Sequence, residues 1–154
     1  RVGLGGWGHN GTFETFAGKM QHGADGAYLT VDQMLWRECG GAQDDPQGIG
    51  AFFQYGWVDE DVSEVTEHLG AGFSWTGMIP ERDDDIAGLG ASWARLSDQA
   101  EFAESHETVI EWFYKIQLTP WLSFKPDVQY IVNPSGGGEV DDVLAGTIRV
   151  DMIF

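Results

Sequence analysis

The chain has 154 residues, the size of one ordinary domain, and no run approaches the ~18 apolar residues of a membrane-spanning helix. Lys and Arg number 8 against 25 Asp and Glu, a formal charge of -17 that makes nucleic acid a poor partner. The 22 Gly and seven Trp come with a slightly negative mean hydropathy, which leaves membrane strands open, because alternating strands escape a hydropathy window.

Alternation, not helical period, predicts eight strands at about 1–10, 27–38, 48–58, 68–79, 86–97, 107–119, 121–133 and 142–154. Most exceed the ~5–6 residues of a soluble strand and match the ~9–11 of a tilted membrane strand. The first strand holds Trp7 and runs into a long loop expected over Gly11–Gly26. The second puts Tyr28, Asp32, Trp36 and Glu38 on one side. Cys39, the lone cysteine, lies in a turn-like Cys39-Gly40-Gly41 and excludes an internal disulfide or thiolate metal site.

In the third strand Ile49, Ala51, Phe53, Tyr55 and Trp57 oppose Gly50, Gln54 and Gly56; in the fourth Leu69, Ala71, Phe73 and Trp75 oppose Gly70, Gly72, Ser74 and Thr76. In the sixth Ile110, Trp112, Tyr114, Ile116 and Leu118 share a side, with Glu111, Phe113, Lys115 and Gln117 on the other. In the seventh Leu122, Phe124, Val128, Tyr130 and Val132 oppose Ser123, Lys125, Asp127, Gln129 and Asn133. The last strand sets Ile148, Val150, Met152 and Phe154 against Thr147, Arg149 and Asp151. A soluble sandwich turns its apolar face inward, but these polar faces carry isolated charges among Gly and Ser, as a wet lumen requires. Trp and Tyr recur near strand ends (Trp7, Trp36, Tyr55, Trp57, Trp75, Trp93, Trp112, Tyr114, Trp121, Tyr130), the placement of interfacial girdles.

Thr119-Pro120-Trp121 reads as a very tight turn and Pro80–Asp85 as a short one, whereas Asp59–Glu67, Ser97–His106 and Asn133–Asp141 are longer and Cys39–Gln47 intermediate. Short turns at one end and long loops at the other are the barrel arrangement. Acids bunch at Asp44-Asp45, Asp59-Glu60-Asp61, Asp83-Asp84-Asp85 and Asp141-Asp142, all in expected turns. They read as solvated loops, with divalent-cation binding that bridges lipid phosphates as the alternative; none has the spacing of a calcium loop. The chain starts at Arg1 in mid-pattern with neither initiator Met nor signal peptide, as in a fragment lacking its N-terminal part. It closes on an alternating strand ending in Phe154, an ending that resembles outer-membrane β-barrels, whose terminal aromatic strand the insertion machinery receives.

Glu107-Thr-Val-Ile-Glu-Trp-Phe-Tyr-Lys-Ile-Gln-Leu-Thr-Pro-Trp-Leu-Ser-Phe-Lys-Pro-Asp-Val-Gln-Tyr-Ile-Val-Asn-Pro134 resembles the C-terminal region of the OprB family, the carbohydrate-selective porins. Asp32-Gln-Met-Leu-Trp-Arg-Glu38, Gly77-Met-Ile-Pro-Glu-Arg-Asp-Asp84 and Leu89-Gly-Ala-Ser-Trp-Ala-Arg95 are similar to that family in the same order, so the resemblance covers nearly all of Gly26–Phe154. It implies an all-β, antiparallel, sixteen-stranded transmembrane barrel, of which this single domain, 1–154, is about the last eight strands. It further implies passive diffusion of monosaccharides and small oligosaccharides, glucose above all, across the outer membrane of a Gram-negative bacterium. Outer-membrane lipid, lipopolysaccharide, the insertion machinery through Phe154 and a homo-oligomeric copy are the expected partners. No metal or cofactor is expected.

Sugars offer C–H faces that stack on aromatics, and hydroxyls that take donors and acceptors, so a selective channel needs inward polar groups beside rings. The tight Thr119–Trp121 turn places Lys115 opposite Lys125, Phe113 opposite Asp127 and Glu111 opposite Gln129, with Arg149 roughly across from Asp127. Glu111, Lys115, Lys125, Asp127, Gln129 and Arg149 are the expected lumen ladder, Phe113 a stacking platform, and Asp32 with Trp36 an acid-plus-aromatic pair. A purely stabilising charge ladder is the competing role for any one of these residues. The competing functions are a general or non-sugar porin and a soluble ligand-binding β-barrel. An enzyme is disfavoured: His9, His22, His68 and His106 pair with no evident nucleophile, and no phosphate loop occurs.

Overall fold

The computed structural model describes residues 1–38 and 47–153; Cys39, Asp44, Asp45 and Phe154, each singled out above, lie outside them. The chain folds as one antiparallel sheet in which each strand pairs with its sequence neighbours, β1 through β8. These are β1 (Val2–Glu14), β2 (Met20–Arg37), β3 (Gly48–Val58), β4 (Val65–Thr76), β5 (Ile86–Leu96), β6 (His106–Thr119), β7 (Leu122–Val132) and β8 (Val143–Met152). Among the described residues a short 3₁₀ turn, Pro134–Gly136, is the one helical element. All eight expected strands are present, with lengths from 10 to 18 residues. β1 pairs with β2 and β8 with β7, and no ladder joins β1 to β8, so the sheet is open.

Two expectations fail at the turns. The loop expected over Gly11–Gly26 is strand: β1 and β2 are joined by residues 15–19, where Thr15 N–H donates to the Lys19 carbonyl at 2.7 Å and Gly18 takes φ +72°. A break in register between His9 and Thr12 interrupts the alternation there and hides the strand in the sequence. Loop lengths also do not sort by end of the sheet. The β4–β5 connection spans 77–85, as long as 97–105 at the opposite end, while the brief 15–19 turn lies among the longer loops.

The loops at that latter end are tied to each other. Phe16 N–H donates to the Asp61 carbonyl at 3.1 Å, Ser97 Oγ to the Glu60 carbonyl at 2.7 Å, and Ala103 N–H to the Gly136 carbonyl at 3.0 Å. The 133–136 segment needs left-handed backbone at Asn133, Ser135 and Gly136, and the Leu96 side chain fills the space a Gly136 side chain would take.

A soluble domain of this size has a packed interior. Here the buried apolar residues, among those described, are Ala24, Ala87 and Leu96. The large apolar side chains lie open on one face: Phe73 is 46% exposed, Trp112 53% and Ile148 67%. Cross-strand registers put Phe53, Leu69, Phe73, Leu89, Ile110, Trp112, Val128 and Ile148 on this face. Among the described residues nothing covers them.

Candidate functional site: the polar face

Following the registers from strand to strand, one rung of the opposite face reads Asp32, Phe52, Gly72, Gly90, Glu111, Gln129. The rung beside it reads Met34, Gly50, Ser74, Gly88, Phe113, Asp127, Thr147. Glycine fills the middle of both rungs and leaves a trough. A cavity of ≈ 630 Å³ occupies it, with Asp32, Phe52, Gln54, Ser74, Glu111 and Phe113 among its walls.

The β6–β7 hairpin has the expected register. Phe113 pairs with Asp127 and Glu111 with Gln129, and the flanking pairs Phe113–Asp127 and Ile116–Phe124 set Lys115 opposite Lys125. A two-residue turn containing Pro120 fixes this pairing, though the ladder shifts between Gln117 and Thr119 at its mouth. Lys125 Nζ lies 3.1 Å from Glu111 Oε1 and 4.0 Å from the centre of the Phe113 ring; Gln129 Nε2 donates to Glu111 Oε2 at 3.2 Å. The ion pair is half-buried, with Lys125 19% and Glu111 33% exposed. Glu111, Phe113, Lys125 and Gln129 therefore form one unit.

The other expected members separate from it. Arg149 pairs with Lys125 and not with Asp127, a displacement of two residues along β8, and its guanidinium meets Asp151 at 3.2 Å. Residues 133–142 form a long connection between β7 and β8, and the 3₁₀ turn at Pro134–Gly136 does not join the two strands directly, so nothing local in the sequence specifies that register. Asp127 pairs with Thr147, whose hydroxyl donates to Asp127 Oδ2. Asp127 is buried, with Oδ1 unpaired among the described groups, so it is no open lumen contact. Lys115 makes no ion pair among the described residues and stands between Ile86 and Lys125.

Asp32 and Trp36 do not share a face. The β2–β3 ladder slips between Met34 and Trp36, so Leu35 is an extra residue and the phase inverts beyond it. Trp36 consequently pairs with Ile49 and packs edge-on against Trp75, 6.3 Å between ring centres, on the apolar face. Asp32 stays on the polar face, where its cross-strand partner is Phe52. Phe52 is the aromatic that sequence alternation passed over: two adjacent phenylalanines, Phe52 and Phe53, point to opposite faces. Trp7 lies on the polar face and not in an apolar-side girdle, pairing with Gly26, while Tyr28 shares the face of Asp32 as expected and pairs with Gly5 and Gly56.

At one end of the sheet Asp85 closes the 77–85 loop onto β6. Its carboxylate, 2% exposed, accepts from Arg82 Nε at 2.7 Å and Nη2 at 3.0 Å, from Tyr114 Oη at 2.7 Å and from Gln117 N at 2.9 Å. Burial alone raises the carboxyl's pKa, but the hydrogen bonds from Arg82, Tyr114 and Gln117 outweigh it and hold Asp85 below the usual carboxylate range. One member of the Asp83-Asp84-Asp85 run is thus a structural anchor.

Residues 3–154 match the carbohydrate-selective porin, OprB family. The chain belongs to that family. It is 24% identical over 150 residues to Porin B of Pseudomonas aeruginosa, covering 84% of this chain and 32% of Porin B. A solved structure described as the high pH structure of Pseudomonas putida OprB superposes with TM-score 0.89 at 19% identity, over 99% of this chain and 44% of that one. The low pH structure of the same protein gives 0.62 at 20% identity, over 84% of this chain and 37% of that one. The chain thus spans less than half the length of these relatives and has the fold of the corresponding part of the OprB structure. The family is one of channels, and the open eight-stranded sheet is a barrel wall by that likeness.

Proposed function

We propose that this sheet is the C-terminal half of a closed outer-membrane barrel through which sugars diffuse passively and selectively into the periplasm of a Gram-negative bacterium. The observation that carries this reading is the sorting of its faces: large apolar groups lie uncovered on one side, and a charged, glycine-floored trough on the other. Hydrocarbon suits the first face and water the second. An open sheet presents two rows of unpaired backbone groups, each costing several kcal/mol in hydrocarbon. Further strands must therefore pair with β1 and β8, and membership of a carbohydrate-selective porin family with longer relatives makes additional strands of the same polypeptide the natural source.

Within the lumen, Glu111, Lys125 and Gln129 exchange hydrogen bonds with sugar hydroxyls. Their half-buried ion pair keeps each group placed, while water competes for it and keeps binding weak enough for release. Arg149, Lys115 and Asp32 set the field along the wall, and Asp127 supports it from below. Mono- and small oligosaccharides are the solutes. Outer-membrane lipid and lipopolysaccharide cover the apolar face, the insertion machinery receives the last strand through Phe154, and a second copy is a further candidate partner.

The test is single-channel conductance of the complete porin in a planar bilayer with glucose, sucrose and an amino acid titrated in turn. Block by glucose and not by the amino acid is expected. Channels indifferent to all three would replace this reading with a general porin.

A further inference from the structure

Phe113, the aromatic expected to stack against solute, already has a ring face occupied by a cation. Lys125 Nζ sits 4.0 Å above its centre. Its ring edge occupies the position a side chain on Gly88 would take. Phe52 differs. Its ring extends over two glycines of the next strands: a β-carbon on Gly72 would lie 2.7 Å from Phe52 Cε1, and one on Gly90 would lie 3.8 Å from Cζ. No cation or second ring covers Phe52 among the described residues, and it is 41% exposed. It therefore reaches over the glycine floor with no cation or ring of the described residues upon it.

We propose that Phe52, with Asp32 and Gln54 beside it, is the stacking subsite for a pyranose ring on this wall. The inference rests on the carbohydrate-channel reading above and assigns a residue that the sequence pattern does not single out. Three features of the trough match a sugar in particular. A flat apolar face accepts the axial C–H groups of a chair. Asp32, Phe52's cross-strand partner, has a carboxylate with no hydrogen-bond or ion partner among the described residues, so both its oxygens are free to accept from hydroxyls. Glu111, four strands along the same rung, lies about 19 Å from Asp32 at ~4.8 Å per strand. The two carboxylates thus bound a stretch of wall wider than one sugar, with the ring near one end. Gln54, on the polar face of the same strand, adds an amide that bends over Gly70: a β-carbon there would lie 2.8 Å from Gln54 Nε2. Glycine at 70, 72, 88 and 90 keeps the floor low enough for all of this.

The test compares sugar block of single channels for the complete porin and its Phe52→Leu, Phe52→Tyr and Phe113→Leu variants, using glucose and the open-chain polyol mannitol. Leucine keeps apolar volume and removes the flat face, and tyrosine restores it. The expected result is a rise of about fivefold in the glucose dissociation constant for Phe52→Leu, ~1 kcal/mol. Phe52→Tyr and Phe113→Leu should stay within about twofold of the parent, and mannitol, which has no ring face to stack, should be unaffected by Phe52→Leu. Equal glucose affinity in Phe52→Leu and parent, or weakening confined to Phe113→Leu, overturns the proposal and leaves the channel reading standing. A parent channel that glucose does not block overturns both.

Discussion

Replacing Asp85 with Ala removes the acceptor that four donor groups share, and the structure sets what that costs. Arg82 is 40% exposed, so its guanidinium returns largely to water and adds little. The Gln117 N–H and the Tyr114 hydroxyl are half-buried and lose their acceptor, at about 1–3 kcal/mol each when left unpaired and less where water reaches them. The sum is about 2–4 kcal/mol, and the 77–85 loop loses its attachment to β6. Asp85→Asn keeps one acceptor and should cost about half as much. The pH dependence has a definite sign. Asp85 is held below its unfolded pKa, so its contribution is complete above the unfolded value and disappears as pH falls through the folded one. Urea unfolding of the complete porin in lipid vesicles, followed by tryptophan fluorescence, measures this at neutral pH and again below the ordinary carboxylate range. A loss under ~0.5 kcal/mol in Asp85→Ala at neutral pH, or a loss that is undiminished at low pH, would refute the reasoning.

Thr147→Val removes the one hydrogen-bond donor that buried Asp127 has among the described residues and should destabilise by about 1–3 kcal/mol in the same urea assay, with single-channel ion selectivity little changed. Arg149→Ala acts in the opposite way: the side chain is 66% exposed on the polar face, so reversal potentials in a salt gradient should move toward cations while stability stays within ~1 kcal/mol. Lys125→Met should move selectivity in that direction too, and should weaken glucose block, because it removes a donor to the sugar hydroxyls and the partner that places Glu111. Trp36→Ala should leave sugar block unchanged, because its ring packs on Trp75 at the apolar face.

Where a local signal existed, the sequence was legible. The Pro120 turn specified the β6–β7 register, so Glu111 pairs with Gln129 and Phe113 with Asp127 as expected. Strand number and the uncovered apolar face followed from strand length and alternation alone. Misreadings arose at irregularities that alternation does not encode. One extra residue at Leu35 inverted the phase of β2 and carried Trp36 to the opposite face. A slip near His9 concealed the first turn of the β1–β2 hairpin. The long β7–β8 connection left the Arg149 register two residues adrift. Phe52 was missed for a different reason. Apolar residues stood on both sides of β3 at that point, and its role depends on glycines in β4 and β5 that become its neighbours only in the folded sheet.

Cysteine accessibility reads directly which face meets lipid and which meets water. In a Cys39→Ser background of the complete porin in vesicles, single cysteines at 32, 34, 36, 52, 53, 54 and 73 are exposed to a membrane-impermeant maleimide. Labelling at 32, 34, 52 and 54, with protection at 36, 53 and 73, is the expected pattern, including the inversion of phase between 34 and 36. Protection at 52 and 54 with labelling at 53 and 73 would contradict it.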